Sequence, residues 1–80
     1  MTLKIISAEK IEFEGAVSSV TLPGALGSFE VLPRHAALIS SLVPGTMSFV
    51  PQDAEAMPQS RAISGGVADI KNDVVSVCLY

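Results

Sequence analysis

Proline and glycine punctuate this chain at short intervals: Gly15, Pro23-Gly24, Gly27, Pro33, Pro44-Gly45, Pro51, Pro58 and Gly65-Gly66. Between them apolar residues recur with period two, and no helical period outlasts one turn. Leu3 to Ala8 is a β-branched, apolar opening strand. Ile11-Glu12-Phe13-Glu14 alternates, so Ile11 and Phe13 are expected on the core face and the two glutamates on one solvated face. Gly15 then permits a turn. Val17 to Leu22 reads as the next strand, with Val20 and Leu22 together; Val17 is out of phase with them, which calls for a bulge near Ser18-Ser19. Pro23-Gly24 has the composition of a type II turn and is expected to close that strand.

Phe29 and Val31 share a face of a short strand that Pro33 stops. Ala37 to Leu42 reads equally as a helical turn or a strand. Val43-Pro44-Gly45 is a turn, and Thr46 to Val50 is a strand ending at Pro51. The stretch from Pro51 to Pro58 reads as an exposed hairpin loop, after which Ser60 to Ser64 resumes a strand. Gly65-Gly66 marks a close backbone approach or a bulge. Val67 to Ile70 and Val74 to Leu79 are joined by the Lys71-Asn72-Asp73 turn. Both faces of the last strand are apolar, which places it centrally in a sheet. The pattern is all-β, with roughly eight or nine short strands in a sandwich or flattened barrel.

Eighty residues make one domain, residues 1–80, with room for a single core. The chain is 49% hydrophobic and only 16% charged, which fits either a dense β core or an apolar surface reserved for a larger partner. Its net charge is −3, and Lys4, Lys10, Arg34, Arg61 and Lys71 form no run, so no nucleic acid is expected as a partner. Cys78 is the only cysteine, which leaves no internal disulfide and fits a reducing compartment. The apolar start breaks at Ala8-Glu9-Lys10, too early for a signal peptide. The longest uncharged stretch, Ala36 to Gln52, contains Pro44, Gly45 and Pro51 and falls short of a bilayer span, so the chain reads as soluble, without direct membrane insertion.

Catalytic chemistry finds little support in these residues. His35 is the only histidine, and no nucleophile or carboxylate accompanies it in sequence; a corner histidine satisfying local backbone groups is the favoured reading. The serines lie mostly in strands, outside any nucleophile-elbow pattern. Gly24-x-x-Gly27 lacks the Lys-Ser/Thr of a phosphate loop. No catalytic, cofactor-binding or metal-ligating residue is nominated.

Several motifs in register carry a resemblance across essentially the whole chain. They are Leu22-Pro23-Gly24, the Gly27-to-Leu38 segment with Pro33-x-His35-Ala36, Pro44-Gly45 and Ser64-Gly65-Gly66. With the opening Ile5-Ile6-Ser7-Ala8-Glu9 and Phe13-Glu14-Gly15, they resemble the epsilon subunit of rotary ATP synthases. The resemblance implies a flattened β-sandwich or barrel of about eight to ten short, mostly antiparallel strands. It also implies a non-catalytic central-stalk (rotor) subunit without cofactor, binding the gamma subunit and the polar loops of the c-ring. Such a subunit couples proton-driven rotation to ATP synthesis at the cytoplasmic face of the bacterial inner membrane.

Carried over by position, Gly27, Ser28, Phe29 and Glu30 are expected to face the c-ring. His35 and Ser40, with Ser7 on a neighbouring first strand, are expected to face gamma. The family commonly has an acid at the Ser28 position and glycines at those of Glu30 and Arg34. An acid moved to Glu30 is read as leaving the strand from its other side, and Arg34 raises the question of whether its site needs positive φ. Many members continue into an inhibitory C-terminal helical hairpin; a short form without it is expected here. The alternative reading is a free-standing β-sandwich protein-binding module with an epsilon-like fold.

Overall fold

The computed structural model describes residues 1–53 and 55–80. Its elements are β1 (Thr2–Ile6), β2 (Ile11–Gly24), β3 (Gly27–Val31), β4 (Leu38–Leu42), β5 (Gly45–Pro51), β6 (Gln59–Ile63), β7 (Gly66–Lys71) and β8 (Val74–Leu79). They pair in the order β1-β8-β7-β4-β2-β5-β6, with β3 and β1 also on β2. Every pairing is antiparallel except β1 with β8. The 14-residue β2 serves both layers of the sandwich. Its first half pairs with β1, from Thr2–Ala16 to Ile6–Ile11. Its second half lies between β3 and β5, opposite Val31 and Phe49 at Val20. One layer is therefore β4-β7-β8-β1 with the start of β2, and the other is β3, the end of β2, β5 and β6.

Gly15 is not a turn. It continues β2 opposite Leu3, and the ring of Phe13 lies where its side chain would be, 3.2 Å from a Cβ built there. Phe13 in turn stacks against Phe49, with centroids 4.6 Å apart and a 45° tilt. A side chain at position 15 would displace that ring, so the glycine is a packing requirement rather than a bend.

Two irregularities of β2 set its faces. Pairing with β5 shifts register between Val17 and Ser19, which brings Val17 onto the buried side with Val20 and Leu22 as the alternation demanded. Pairing with β1 shifts between Ile5 and Ile6, and this second bulge was not anticipated. Because Ile5 faces Phe13 while Ile6 faces Ile11, Glu12 is the extra residue. Ile11 joins the outer face with Ile6 and is 55% exposed, contrary to the expected core position. The same bulge separates Glu12 from Glu14, which do not share a solvated face.

The core lies between the layers: Leu3 and Ile5, Val17, Val20 and Leu22, Val31, Leu42, Met47 and Phe49, Ile63, Ala68 and Ile70, Val75 and Val77. Among the described residues no polar or charged side chain is buried with them. Burying each Val, Leu or Ile side chain contributes about 1.5–3 kcal/mol. A surface pair such as Lys4–Glu14, 3.9 Å apart, contributes about 0–1 kcal/mol, so the fold rests on the alternation.

The β2–β3 turn falls two residues later than Pro23-Gly24 suggests. Pro23 pairs with Ser28 and Gly24 with Gly27, leaving Ala25-Leu26 as the tip. Gly24 is needed for space, because a Cβ there would stand 2.7 Å from the Phe29 ring and 2.8 Å from the Gly27 carbonyl oxygen. Ala37 to Leu42 resolves as strand from Leu38 onward. The β7–β8 hairpin turns at Asn72 (φ 53°) and Asp73 (φ 63°), the left-handed pair of a type I′ turn. As expected, β8 is central, between β1 and β7.

Gly66 admits the closest backbone approach: a Cβ there would stand 2.3 Å from the Cys78 carbonyl oxygen of β8. The strand cannot yield without breaking the β7–β8 ladder. Gly66→Ala is expected to cost about 3 kcal/mol. For a domain this small that lowers the thermal midpoint by more than ~10 °C, read by circular dichroism.

Candidate interaction surfaces

Among the described residues no group of three His, Cys, Asp or Glu side chains stands ready to hold a metal ion. His35 sits in a tight turn, half-buried. Its backbone N–H donates to Leu32 O at 3.2 Å, and its ring Nδ1 lies 2.7 Å from Ala36 O. The ring therefore serves the corner, as the bare sequence suggested.

A shallow cleft separates β6 from the β1–β2 corner, lined by Ile5, Phe13, Phe49, Gln59 and Ser60 and crossed by an ion pair. Arg61 Nη1 donates to Glu12 Oε1 at 2.6 Å, and both side chains are partly buried. This pair is the bulge's second consequence, since it turns Glu12 toward β6 while Glu14 stays on the outer face beside Lys4. The Arg61 hydrogen bond, then that of Ser7, hold the Glu12 carboxyl below its ordinary 4.5 against the opposing effect of burial. A carboxyl whose pKa falls on folding contributes stability above its unfolded value and loses it as pH drops through the folded one. Glu12→Gln is thus expected to be less stable than wild type at neutral pH. The gap between the two urea midpoints should close as pH is taken below 4.5.

The opposite end of the sandwich is tied by Asp73. Its Oδ1 accepts the Arg34 N–H at 3.0 Å, its Oδ2 lies 3.3 Å from the Met1 ammonium, and its carbonyl oxygen accepts the Thr2 N–H at 3.1 Å. The Arg34 N–H foremost, then the Met1 ammonium and the charge of Arg34, hold the Asp73 carboxyl below 3.8 against the opposing effect of burial. Arg34 has φ 67°, so its site does need the left-handed backbone for which a glycine is usual.

Gly27, Ser28, Phe29 and Glu30 lie together on β3, which pairs only with β2. Phe29 turns inward against the core, while Ser28 and Glu30 are exposed on one outer face opposite Pro23 and Thr21. Moving an acid from 28 to 30 thus keeps its side of the strand, because the offset is one full period. Leu26, at the hairpin tip beside them, is fully exposed.

Ser7, His35 and Ser40 are not brought together as a cluster. Ser7 follows β1, Ser40 lies on β4, and β8 and β7 separate those strands. The first strand is therefore not the neighbour of β4. Ser40 pairs with Ala68 on the inward side and donates to Ser41 O at 3.0 Å. His35 precedes the far end of β4.

Between Ser7 and Ser40 runs a feature that segment-by-segment reading missed. Ser41, Val67, Cys78, Ile6 and Ile11 are successive partners across β4, β7, β8, β1 and β2, all on the outer face. Four of the five are apolar or weakly polar, and Cys78 and Ile11 are exposed. The next row, Ile39, Asp69, Ser76, Lys4 and Glu14, is mostly polar. Apolar residues on both faces of β1 and β8 were the available signal, but only the pairing register lines them up.

Two layers, with an apolar row on the outer face of one and an edge strand on the other, define a two-layer β-sandwich. The chain belongs to the family of the ATP synthase delta/epsilon chain β-sandwich domain, whose model matches residues 1–79. It is 44% identical over 73 residues to the ATP synthase epsilon chain of Nitratiruptor sp., covering 91% of this chain and 55% of that one. To the epsilon chain of Bordetella petrii it is 34% identical over 77 residues, covering 96% and 53%. The chain thus spans about half the length of these relatives. Its fold matches a chain of the Euglena gracilis mitochondrial ATP synthase OSCP/F1/c-ring structure, with a TM-score of 0.87 at 22% identity over 96% of this chain and 48% of that one. It also matches a chain of the Tetrahymena thermophila mitochondrial ATP synthase central stalk/c-ring structure, with a TM-score of 0.82 at 13% identity over 99% and 62%.

Proposed function

We propose that this chain is the sandwich domain of a non-catalytic rotor subunit, which binds the gamma subunit and the c-ring of a rotary ATP synthase. The family match over residues 1–79 carries this reading. The outer row of the β1-β8-β7-β4 layer is the gamma-facing surface, with Ser7 following Ile6 and with Ser41, the neighbour of the inward-turned Ser40, at its β4 end; His35 extends the contact along the loop before β4. An apolar row with polar margins suits such an interface, whose centre is depleted of charge. β3 and the hairpin tip, with Gly27, Ser28, Phe29 and Glu30, face the polar loops of the c-ring. The two contacts then lie on different layers, so the domain acts as a stiff spacer between ring and stalk.

No helix among the described residues is long and apolar enough to cross a membrane. In the proposed assembly the domain lies peripherally, at the cytoplasmic face of a bacterial inner membrane, and helps couple ion-driven rotation to ATP synthesis.

The test is association with purified gamma. Wild type is expected to form an equimolar complex on size-exclusion chromatography. Placing charges in the row, with Ile6→Asp and Val67→Asp together, is expected to weaken binding by about 10- to 100-fold, as loss of interface anchors does. Circular dichroism checks that the variant is folded. Failure of folded wild type to bind gamma overturns the proposal.

A further inference from the structure

The turn that leaves β3 holds a backbone conformation its residue disfavours. Leu32 O accepts the His35 N–H, Pro33 stands second, and Arg34 stands third with φ 67°. That is a type II turn, whose third position takes glycine because a Cβ crowds the adjoining carbonyl. The other positive-φ residues that are not glycine, Asn72 and Asp73, have short polar side chains suited to that region. Arg34 does not, and it is held in place through its backbone by Asp73 Oδ1.

The arginine side chain makes no ion pair among the described residues, whose ion pairs are Met1–Asp73, Lys4–Glu14 and Arg61–Glu12. A glycine could therefore make the same turn without losing a described hydrogen bond or ion pair. Leu32, which opens the turn, is 51% exposed. The acid shown beside Arg34 is Asp73, which takes the Arg34 N–H and feels the charge of the guanidinium without forming an ion pair with it. One cation on a rigid turn beside an exposed leucine has the makeup of an interface anchor, and strain at a residue whose side chain makes no described ion pair marks a candidate functional position. A phosphate ligand would call for more cations than this one. A carboxylate matches a single guanidinium, which can grip both of its oxygens.

We propose that Arg34 is a specificity residue of the stalk contact, forming a two-point ion pair with an acidic side chain on gamma while Leu32 packs against apolar surface beside it. This rests on the proposed gamma contact and extends it to a named residue and partner chemistry.

The experiment compares gamma binding by wild type, Arg34→Gly, Arg34→Lys and Arg34→Glu, with thermal midpoints for each. Arg34→Gly is expected to keep or raise the midpoint, because the turn strain is relieved, while binding weakens at least about tenfold. Arg34→Lys keeps the charge and is expected to recover only part of the affinity. Arg34→Glu weakens binding further, and wild-type affinity falls more steeply with salt than that of Arg34→Gly. Equal binding by folded wild type and Arg34→Gly overturns the inference and leaves the gamma contact standing. Should Arg34→Gly fold poorly, full affinity in Arg34→Lys and Arg34→Glu overturns it instead. Absence of binding by wild type removes the gamma contact and this inference together.

Discussion

β2 must belong to two layers at once, and the rest of the molecule follows from how it does so. A 14-residue strand that pairs with β1 at its start and with β3 and β5 at its end has to change which side it buries. Its two register shifts accomplish this. The one after Val17 keeps the second half's apolar side inward, and the one at Glu12 turns Ile11 outward. Without the first, Val20 and Leu22 would be out of step with Val17, and the core could not span both layers. Without the second, Glu12 would not reach Arg61 and Ile11 would not complete the outer row.

Both ends of the sandwich are then closed by contacts between residues far apart in the chain. Glu12 and Arg61 bridge the gap that β2 leaves beside β6. Asp73 joins the β7–β8 turn to the chain start and to the β3–β4 loop. These exposed or partly exposed contacts contribute less than the core, but they position backbone segments that the core does not reach.

The strands themselves were legible because period-two alternation and turn residues act locally. The bulge at Ser18 could be foreseen from the phase of Val17 alone. The bulge at Glu12 could not, since nothing within Ile11 to Glu14 breaks phase; it appears only when Ile5 and Ile6 choose their partners. Pro23-Gly24 has turn composition, yet Gly24 is there to admit the Phe29 ring, and the chain turns two residues on. The neighbourhood of Ser7 differs from expectation for a topological reason: β8, parallel to β1, and β7 stand between β1 and β4. The β3 residues were named in sequence and stand together, whereas the outer row exists only in the assembled register. Asp73 and Arg34, 39 residues apart, were equally beyond a local reading.

The central claim is that the outer row is the face covered by gamma, and the molecule carries its own probe of it. Cys78 is the only cysteine, is exposed, and sits mid-row between Val67 and Ile6. Its rate of reaction with a maleimide reagent can be followed in the free protein and in its complex with gamma. The account predicts ready labelling when free and at least about tenfold slower labelling when bound, as expected of a residue inside an interface core. Labelling of Cys78 at the same rate in a formed complex would contradict it.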